Sequence, residues 1–300
     1  MNVAITGSTG LIGSALVPRL TSGSHGVVRL VRGAPATGSA ERVARWDPDT
    51  GAIEPGLDGV DAVVHLAGES VAGGRWTEAR KRRIRESRVP PTRKLCETLA
   101  RQPTPPRVLV CASAIGYYGD RGDQVLREES PPGTGFLPEV CREWEAAAEP
   151  AARRGIRVVH LRIGLVLSPK GGALAAMLPV FRLGLGGPVG SGAQWMSWIG
   201  MDDTLGAMLH ALMNEALAGP VNLVAPAPVT NREFARTLAR VLRRPAIFPF
   251  PALAARLVFG QMADELLLAS ARVEPARLQA TGYAFRDATL EGALRRLLAL

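Results

Sequence analysis

The sequence predicts an α/β chain: a doubly wound parallel sheet followed by a smaller, mostly helical C-terminal lobe. Three observations carry that expectation. Short apolar runs alternate with stretches of helical spacing through residue 170, the pattern of β-α-β units with parallel strands. The opening run, MNVAITGSTGLIG, joins an apolar strand at Val3 to Ile5 to a glycine turn, and Leu11, Leu16 and Leu20 then recur at helical spacing. From Gly171 the alternation loosens into glycine- and proline-rich stretches and a helical tail. With 300 residues, 47% of them hydrophobic, the chain is long enough for one large α/β domain or a domain plus a lobe.

In the first unit the strand ends in Thr6-Gly7, and Gly10 and Gly13 follow. Gly7 suits a tight turn, Gly10 a close backbone approach to a pyrophosphate, and Gly13 close packing of helix on sheet, with phosphates on the helix N-terminus. Gly7, Thr9, Gly10, Leu11, Ile12 and Gly13 are thus the expected phosphate-facing turn of a Rossmann-type sheet; a ligand-free structural turn is the alternative. Gly26 to Arg32 reads as a second strand ending in a basic residue, Ala34 to Ala40 as a small-residue loop, and Val43 to Asp47 as a short third strand. Asp61 to Glu69 is a fourth strand running into a glycine loop, and Trp76 to Arg88 a charged helix. Pro90-Pro91 breaks or restarts that helix, which continues to about Ala100. A fifth strand at Arg107 to Cys111 leads into the loop Ser113 to Gly119. A helix over Leu137 to Arg154 and a sixth strand at Arg157 to Ile163 follow.

Further on, Gly184 to Gly192 is too glycine-rich for a regular element and reads as a surface loop. Asp202 or Asp203 caps a helix through about Leu217. Thr230-Asn231-Arg232-Glu233 fits a capping box opening a helix to Leu242, and Pro245 to Pro251 precedes the tail. Residues 1–170, completed by about 200–225, are expected to form the nucleotide-binding domain; 171–199 and 226–300 form the substrate lobe.

Composition narrows the partners. No apolar stretch approaches the ~20 residues that span a bilayer, and no signal peptide is read ahead of the first strand, so the expected location is cytoplasmic, with no membrane. The net charge of +9 raises nucleic acid as a partner, but the basic residues are nearly all arginine, a bias that GC-rich coding also produces. The densest run, Arg80-Lys81-Arg82-Arg83, sits between Glu78 and Glu86 and reads as a solvated helix face. Cys96, Cys111 and Cys141 lack metal-like or CxxC spacing and read as reduced thiols, and the four histidines form no ligand pair, so no metal is expected.

TGSTGLIG, DAVVHLAGE, ESRVPPTRKL, SAIGYYG, REWEAAAE, FRLGLGGPVGSGAQWMSWI and the tail VFGQMADELLLASARVEPARLQATGYAF together resemble the extended short-chain dehydrogenase/reductase superfamily. They are most similar to its atypical, epimerase-like branch of nucleoside-diphosphate-sugar epimerase type. The resemblance covers essentially the whole chain, with a branch-specific C-terminal segment at about 246–295. It implies that the backbone of Leu66, Ala67 and Gly68 faces the cofactor, that Val166, in the loop after the sixth strand, lies near the nicotinamide end, and that Arg88 and Arg83 reach the same region. Both arginines have solvent-facing charge as the alternative. It also implies a homodimer.

The cofactor is read from residues. A site preferring NAD usually ends its second strand in an acid that holds the ribose hydroxyls. Here Val31-Arg32 stand there, and a guanidinium fork suits a 2′-phosphate, so NADP(H) is expected over NAD(H).

The catalytic residues are less regular. The superfamily works through a Ser or Thr, a Tyr and a Lys four residues after it, the lysine lowering the phenol's pKa. No Tyr-x-x-x-Lys pair exists in this chain, and the expected helix reads Cys141-Arg142-Glu143-Trp144-Glu145. Ser113 stands at the strand end where the catalytic hydroxyl belongs, and Tyr117 or Tyr118 could supply a phenol from a different backbone position, with loop packing as the alternative. Glu145 or Cys141 could enter acid–base work, against a structural role for the carboxylate. Gln194, Trp195 and Trp198 follow the glycine loop as a pocket wall or as core anchors. The family's tryptophan-isoleucine pair is usually followed by histidine, and here by Gly200. Two functions follow. One is an NADP-dependent oxidoreductase or epimerase acting on a small polar substrate such as a nucleotide sugar. The other is a non-catalytic NADP(H)-binding sensor or partner-binding protein.

Overall fold

The structure is a computed structural model and describes residues 1–33 and 42–299, so the loop read at Ala34 to Ala40 lies outside the described residues. Its main sheet has eight strands: β1 (Asn2–Thr6), β2 (Gly26–Val31), β3 (Arg42–Trp46), β4 (Ile53–Glu54), β5 (Ala62–His65), β6 (Val108–Ala114), β7 (Arg157–Ile163) and β8 (Gly219–Leu223). They lie in the order β8-β7-β6-β5-β1-β2-β3-β4, and every neighbouring pair is parallel except β3 and β4. The order reverses between β1 and β5, which opens a crevice beyond the carboxyl ends of those strands.

Both faces of the sheet are covered, and for that reason its central strands read as unbroken apolar runs. Val3 and Ile5 point to one face, where Leu16 and Leu20 of α1 (Leu11–Ser22) pack with Met208 and Ala211 from a second helix, Met201–Met213. Ala4 points to the other, against Leu95, Cys96 and Leu99 of the helix Val89–Arg101. A third core joins Leu174 and Phe181, Phe234 and Leu238, and Leu290 and Leu294 from three helices of the C-terminal half around Trp198.

Several elements differ from expectation. The helix read over Leu137 to Arg154 is two, Phe136–Ala146 and Glu149–Arg153, and Pro150 falls in the first turn of the second, where a missing N–H costs nothing. β8 and β4 were unread: Gly219-Pro220 opens the first, and the second has two residues. Ser113 and Ala114 belong to β6, and the loop after them is a 3-10 turn, Ile115–Tyr118. Val166 lies in a short strand, Leu165–Leu167, paired with Trp198–Gly200 instead of in a loop. Neither Asp202 nor Asp203 caps its helix. Asp203 is buried and accepts hydrogen bonds from the Tyr283 hydroxyl and the Arg286 and Asp287 amides. Thr230 caps its helix as read, its hydroxyl accepting from the Glu233 amide at 3.2 Å, which is one half of the capping box.

Candidate functional site

The glycine turn connects β1 to α1 at the crevice. Gly7 has φ +68°, and a Cβ there would sit 2.7 Å from the Leu66 carbonyl carbon and 2.9 Å from the Ala67 nitrogen. A Cβ on Gly13 would run into the Gly7 carbonyl oxygen and come within 2.8 Å of Ser8 Cα. The turn is therefore wedged between α1 and the Leu66–Gly68 turn, and only hydrogen fits at these positions. No side chain caps α1, whose first helical bond is donated by Ser14 to Gly10, so the first-turn amides of Leu11, Ile12 and Gly13 have no partner among the described residues. A cavity of about 620 Å³ opens beside them, lined by Thr9, Gly10, Leu11, Lys170 and Arg296 among others. Amide donors at a helix N-terminus with a lysine alongside suit an anion.

Beneath the turn runs a buried polar chain. Thr6 Oγ1 accepts from the amides of Leu66 (3.1 Å) and Ala67 (3.3 Å), which fills its lone pairs, so its proton goes to His65 Nδ1 at 2.7 Å. That assigns His65 as the neutral Nε2–H tautomer, donating to Thr92 Oγ1 at 2.9 Å. Trp144 Nε1 donates to the same oxygen at 2.9 Å. Burial pushes the His65 imidazole down to about 4. Arg88 closes the turn from above, donating to the Glu69 carbonyl (2.8 Å) and the Ile84 carbonyl (3.1 Å), with its guanidinium against Gly68 and over the Trp144 ring. Of the expected cofactor-facing residues, Leu66, Ala67, Gly68 and Arg88 thus meet at one place. Arg83, on the preceding helix, is exposed and makes no side-chain hydrogen bond or ion pair among the described residues. Arg32 is exposed just past the end of β2, level with the glycine turn.

At the end of β6 the structure separates the three expected catalytic groups. Ser113 is 3% exposed, and its hydroxyl donates to Glu145 Oε1 at 2.7 Å. Glu145 in turn forms a two-pronged pair with Arg162, Nε to Oε1 and Nη2 to Oε2, both 2.9 Å. Burial works against the charge on Arg162, but the carboxylate outweighs it and holds the guanidinium above its ordinary range. Tyr118 is a correction: its ring has no exposure, and its hydroxyl donates to Asn222 Oδ1 (2.6 Å) and accepts from Arg162 Nη1 (3.0 Å). Burial pushes that phenol up to about 12, so Tyr118 is a core residue and faces no substrate. Tyr117 is half-buried, lies with its ring centroid 3.5 Å from Arg162 Cζ, and its hydroxyl has no partner among the described residues. Cys141 is buried, and burial pushes its thiol up to about 12, which removes it from acid–base work at neutral pH.

Gln194 and Trp198 are structural. The Gln194 amide ties the carbonyls of Val189 and Leu267, and Trp198 is fully buried with its indole on the Ala227 carbonyl. Trp195 stays at the surface, bonded to Asp123 and stacked on Arg272. A side chain at Gly200 would meet Asp287, which pairs with Arg296. Arg162 was missed by sequence reasoning, although one charged residue inside the apolar strand VVHLRI signals a buried partner. Asn222 gave no such signal.

With this geometry in place, comparison with known proteins gives a consistent result. Residues 3–223 match the NAD dependent epimerase/dehydratase family, and residues 250–297 match a domain of unknown function. An epimerase family protein of Mycobacterium bovis is 45% identical over 97% of this chain and 96% of its own length. The crystal structure of human epimerase family protein SDR39U1 with NADPH superimposes with a TM-score of 0.91 at 36% identity, covering 100% of this chain and 99% of that one. The nucleoside-diphosphate sugar epimerase of Corynebacterium glutamicum superimposes at 0.81 with 41% identity, covering 99% of this chain and 58% of that one.

Proposed function

The chain belongs to the NAD-dependent epimerase/dehydratase family, and on that premise we propose that it binds NADP(H) and acts as an oxidoreductase or epimerase on a small polar substrate of the nucleotide-sugar kind. The cradle supports the cofactor: the Leu11, Ile12 and Gly13 amides would hold the pyrophosphate, and Arg32 the 2′-phosphate. The NADPH in the human relative agrees with this reading. Bound NADP(H) would supply the hydride donor or acceptor. The proton falls to Tyr117, and one observation carries that assignment: of the two phenols in the turn after β6, only Tyr117 leaves its hydroxyl unengaged. Arg162, itself held by Glu145, lies against the ring, and Ser113, its proton committed to Glu145, offers lone pairs only. Residues 171–199 and 226–300 would cover the substrate.

Fluorescence titration with NADPH and NADH tests the cofactor. NADPH is expected to bind at least tenfold tighter, and Arg32→Glu to abolish the difference; equal affinities in the unmutated chain would sink the assignment. NADPH oxidation across carbonyls and nucleotide sugars tests the chemistry, with Tyr117→Phe expected to remove turnover while leaving NADPH affinity unchanged. A second reading is supported by the burial of Ser113 and by the helix expected to carry the Tyr-Lys pair, which offers Glu145 instead, locked to Arg162. In it the chain reads the NADP(H) pool without turning over. Tight NADPH binding with no turnover on any panel member selects that reading.

A further inference from the structure

The C-terminal half carries an apolar surface that neither the cofactor site nor the core accounts for. Leu183 and Leu185 follow the helix Gly172–Arg182 and are 74% and 54% exposed. Ile247 and Phe248 are 68% and 52% exposed, and Leu253 and Leu257 on the helix Ala252–Phe259 are 69% and 68% exposed. These side chains belong to one surface because the two segments are locked together. A Cβ on Gly184 would touch Pro245 at 3.3 Å, Gly187 abuts the Phe248 carbonyl, and the Phe250 amide donates to the Pro188 carbonyl at 2.8 Å. Leu253 and Leu257 are one helical turn apart and continue the same apolar strip.

The charge around the strip is predominantly positive, its bordering carboxylate Asp264 being taken up by Arg256. No Asp or Glu occurs from Pro150 to Met201 or from Phe234 to Ala263, the stretches that build it. Arg182, Arg243 and Arg244 are exposed at its border, and none has an ion-pair or side-chain hydrogen-bond partner among the described residues. Two identical copies meeting face to face here would bring these guanidinium groups together without a counter-charge, which disfavours a symmetric dimer. The protruding side chains are aliphatic or phenyl, with no hydroxyl or indole to satisfy a polar protein partner. Protruding apolar side chains ringed by free cations instead match a surface with an apolar interior and anionic headgroups.

We propose that this face docks the chain peripherally on an anionic lipid surface, with Leu183, Leu185, Ile247, Phe248, Leu253 and Leu257 entering the headgroup–acyl boundary and Arg182, Arg243 and Arg244 pairing with lipid phosphates. Such attachment requires no spanning segment, and among the described residues no helix is long and apolar enough to cross a membrane. It leaves the opening glycine turn, on a different part of the chain, free to bind its cofactor.

Co-sedimentation of the full chain with vesicles tests this, using phosphatidylcholine alone and phosphatidylcholine mixed with phosphatidylglycerol. Binding to the mixed vesicles is expected, falling steeply between 0.1 and about 0.5 M salt as screening shortens the reach of the charges. Arg243→Gln with Arg244→Gln should weaken partitioning by about 30-fold, from roughly fivefold per arginine. Leu253→Ser with Leu257→Ser should weaken binding at every salt concentration. Unchanged NADPH affinity shows that the variants are folded. Absence of binding to anionic vesicles overturns the proposal, as does binding that neither double variant reduces. A dimer that Leu253→Ser with Leu257→Ser dissociates, in a chain that ignores vesicles, overturns it in favour of a second copy.

Discussion

Tyr117 and Tyr118 are adjacent in sequence and have opposite fates. A 3-10 turn advances about a third of a revolution per residue, so neighbouring side chains diverge sharply. One ring enters the core beside Asn222, while the other lies half-buried along the Arg162 guanidinium. Tyr118→Phe leaves Asn222 Oδ1 and Arg162 Nη1 each short of a buried partner and is expected to lower stability by about 1–3 kcal/mol. Tyr117→Phe retains the ring over Arg162 and should stay within about 0.5 kcal/mol of the unmutated chain. Urea unfolding of the two variants checks this, and equal losses would contradict the separation. The sequence made Ser113, Tyr117 and Tyr118 visible as residue types but could not rank them. Which phenol is free depends on Arg162 and Asn222, which lie 44 and 104 positions from Tyr118. The Glu145 carboxylate was visible as an anomaly in its helix. Its neutralisation by Arg162 was not, because that contact exists only once β7 lies beside β6.

The glycine turn is the element whose sequence signal translated most directly into structure, because its spacing encodes a steric requirement. Gly13→Ala is the sharpest test of that requirement. The added methyl meets backbone, which cannot rotate away as a side chain would, so α1 must shift from the turn. The expected cost is about 1–3 kcal/mol of stability, together with loss of NADPH binding, measured by thermal unfolding with and without NADPH. A variant with unchanged melting and an unchanged NADPH-induced shift would show that α1 tolerates displacement. Elsewhere, long periodic elements were legible and short ones were not. Arg157 to Ile163 was read to the residue because Val158, Val159, Leu161 and Ile163 crowd four apolar, mostly β-branched positions into a short run behind Gly155. Ile53–Glu54 has no period of its own and exists as a strand only because β3 pairs with it. Val166 was read in a loop for the same reason, since its strand is defined by Trp198–Gly200, more than thirty positions on.

For the molecule as a whole, the doubly wound architecture was legible from alternation alone, whereas the strand order and the coupling across the sheet were not. The chain from the Leu66 and Ala67 amides through Thr6, His65 and Thr92 to Trp144 joins two strands and two helices. It requires a neutral imidazole. Burial lowers His65 from 6.5 to about 4 in the folded state, so below pH 6.5 the unfolded chain takes up a proton that the folded chain refuses. The stability is fully present above pH 6.5 and is lost as the pH falls toward 4, by up to roughly 3 kcal/mol. Urea midpoints at pH 7.5 and 4.5 should differ accordingly, with the contribution of His65 isolated by comparison with His65→Gln; parallel pH profiles for the two chains would mean that His65 titrates normally when folded. The same chain gives the protein an optical reporter. Its far end is an indole, donating to Thr92 and lying 5.1 Å under the Arg88 guanidinium that grips the Glu69 carbonyl. Any ligand pressing on the Leu66–Gly68 turn alters the electric field at that ring. NADP⁺, which does not absorb at the emission wavelength, should therefore shift the tryptophan fluorescence, and Trp144→Phe should abolish the shift while the other four tryptophans still glow.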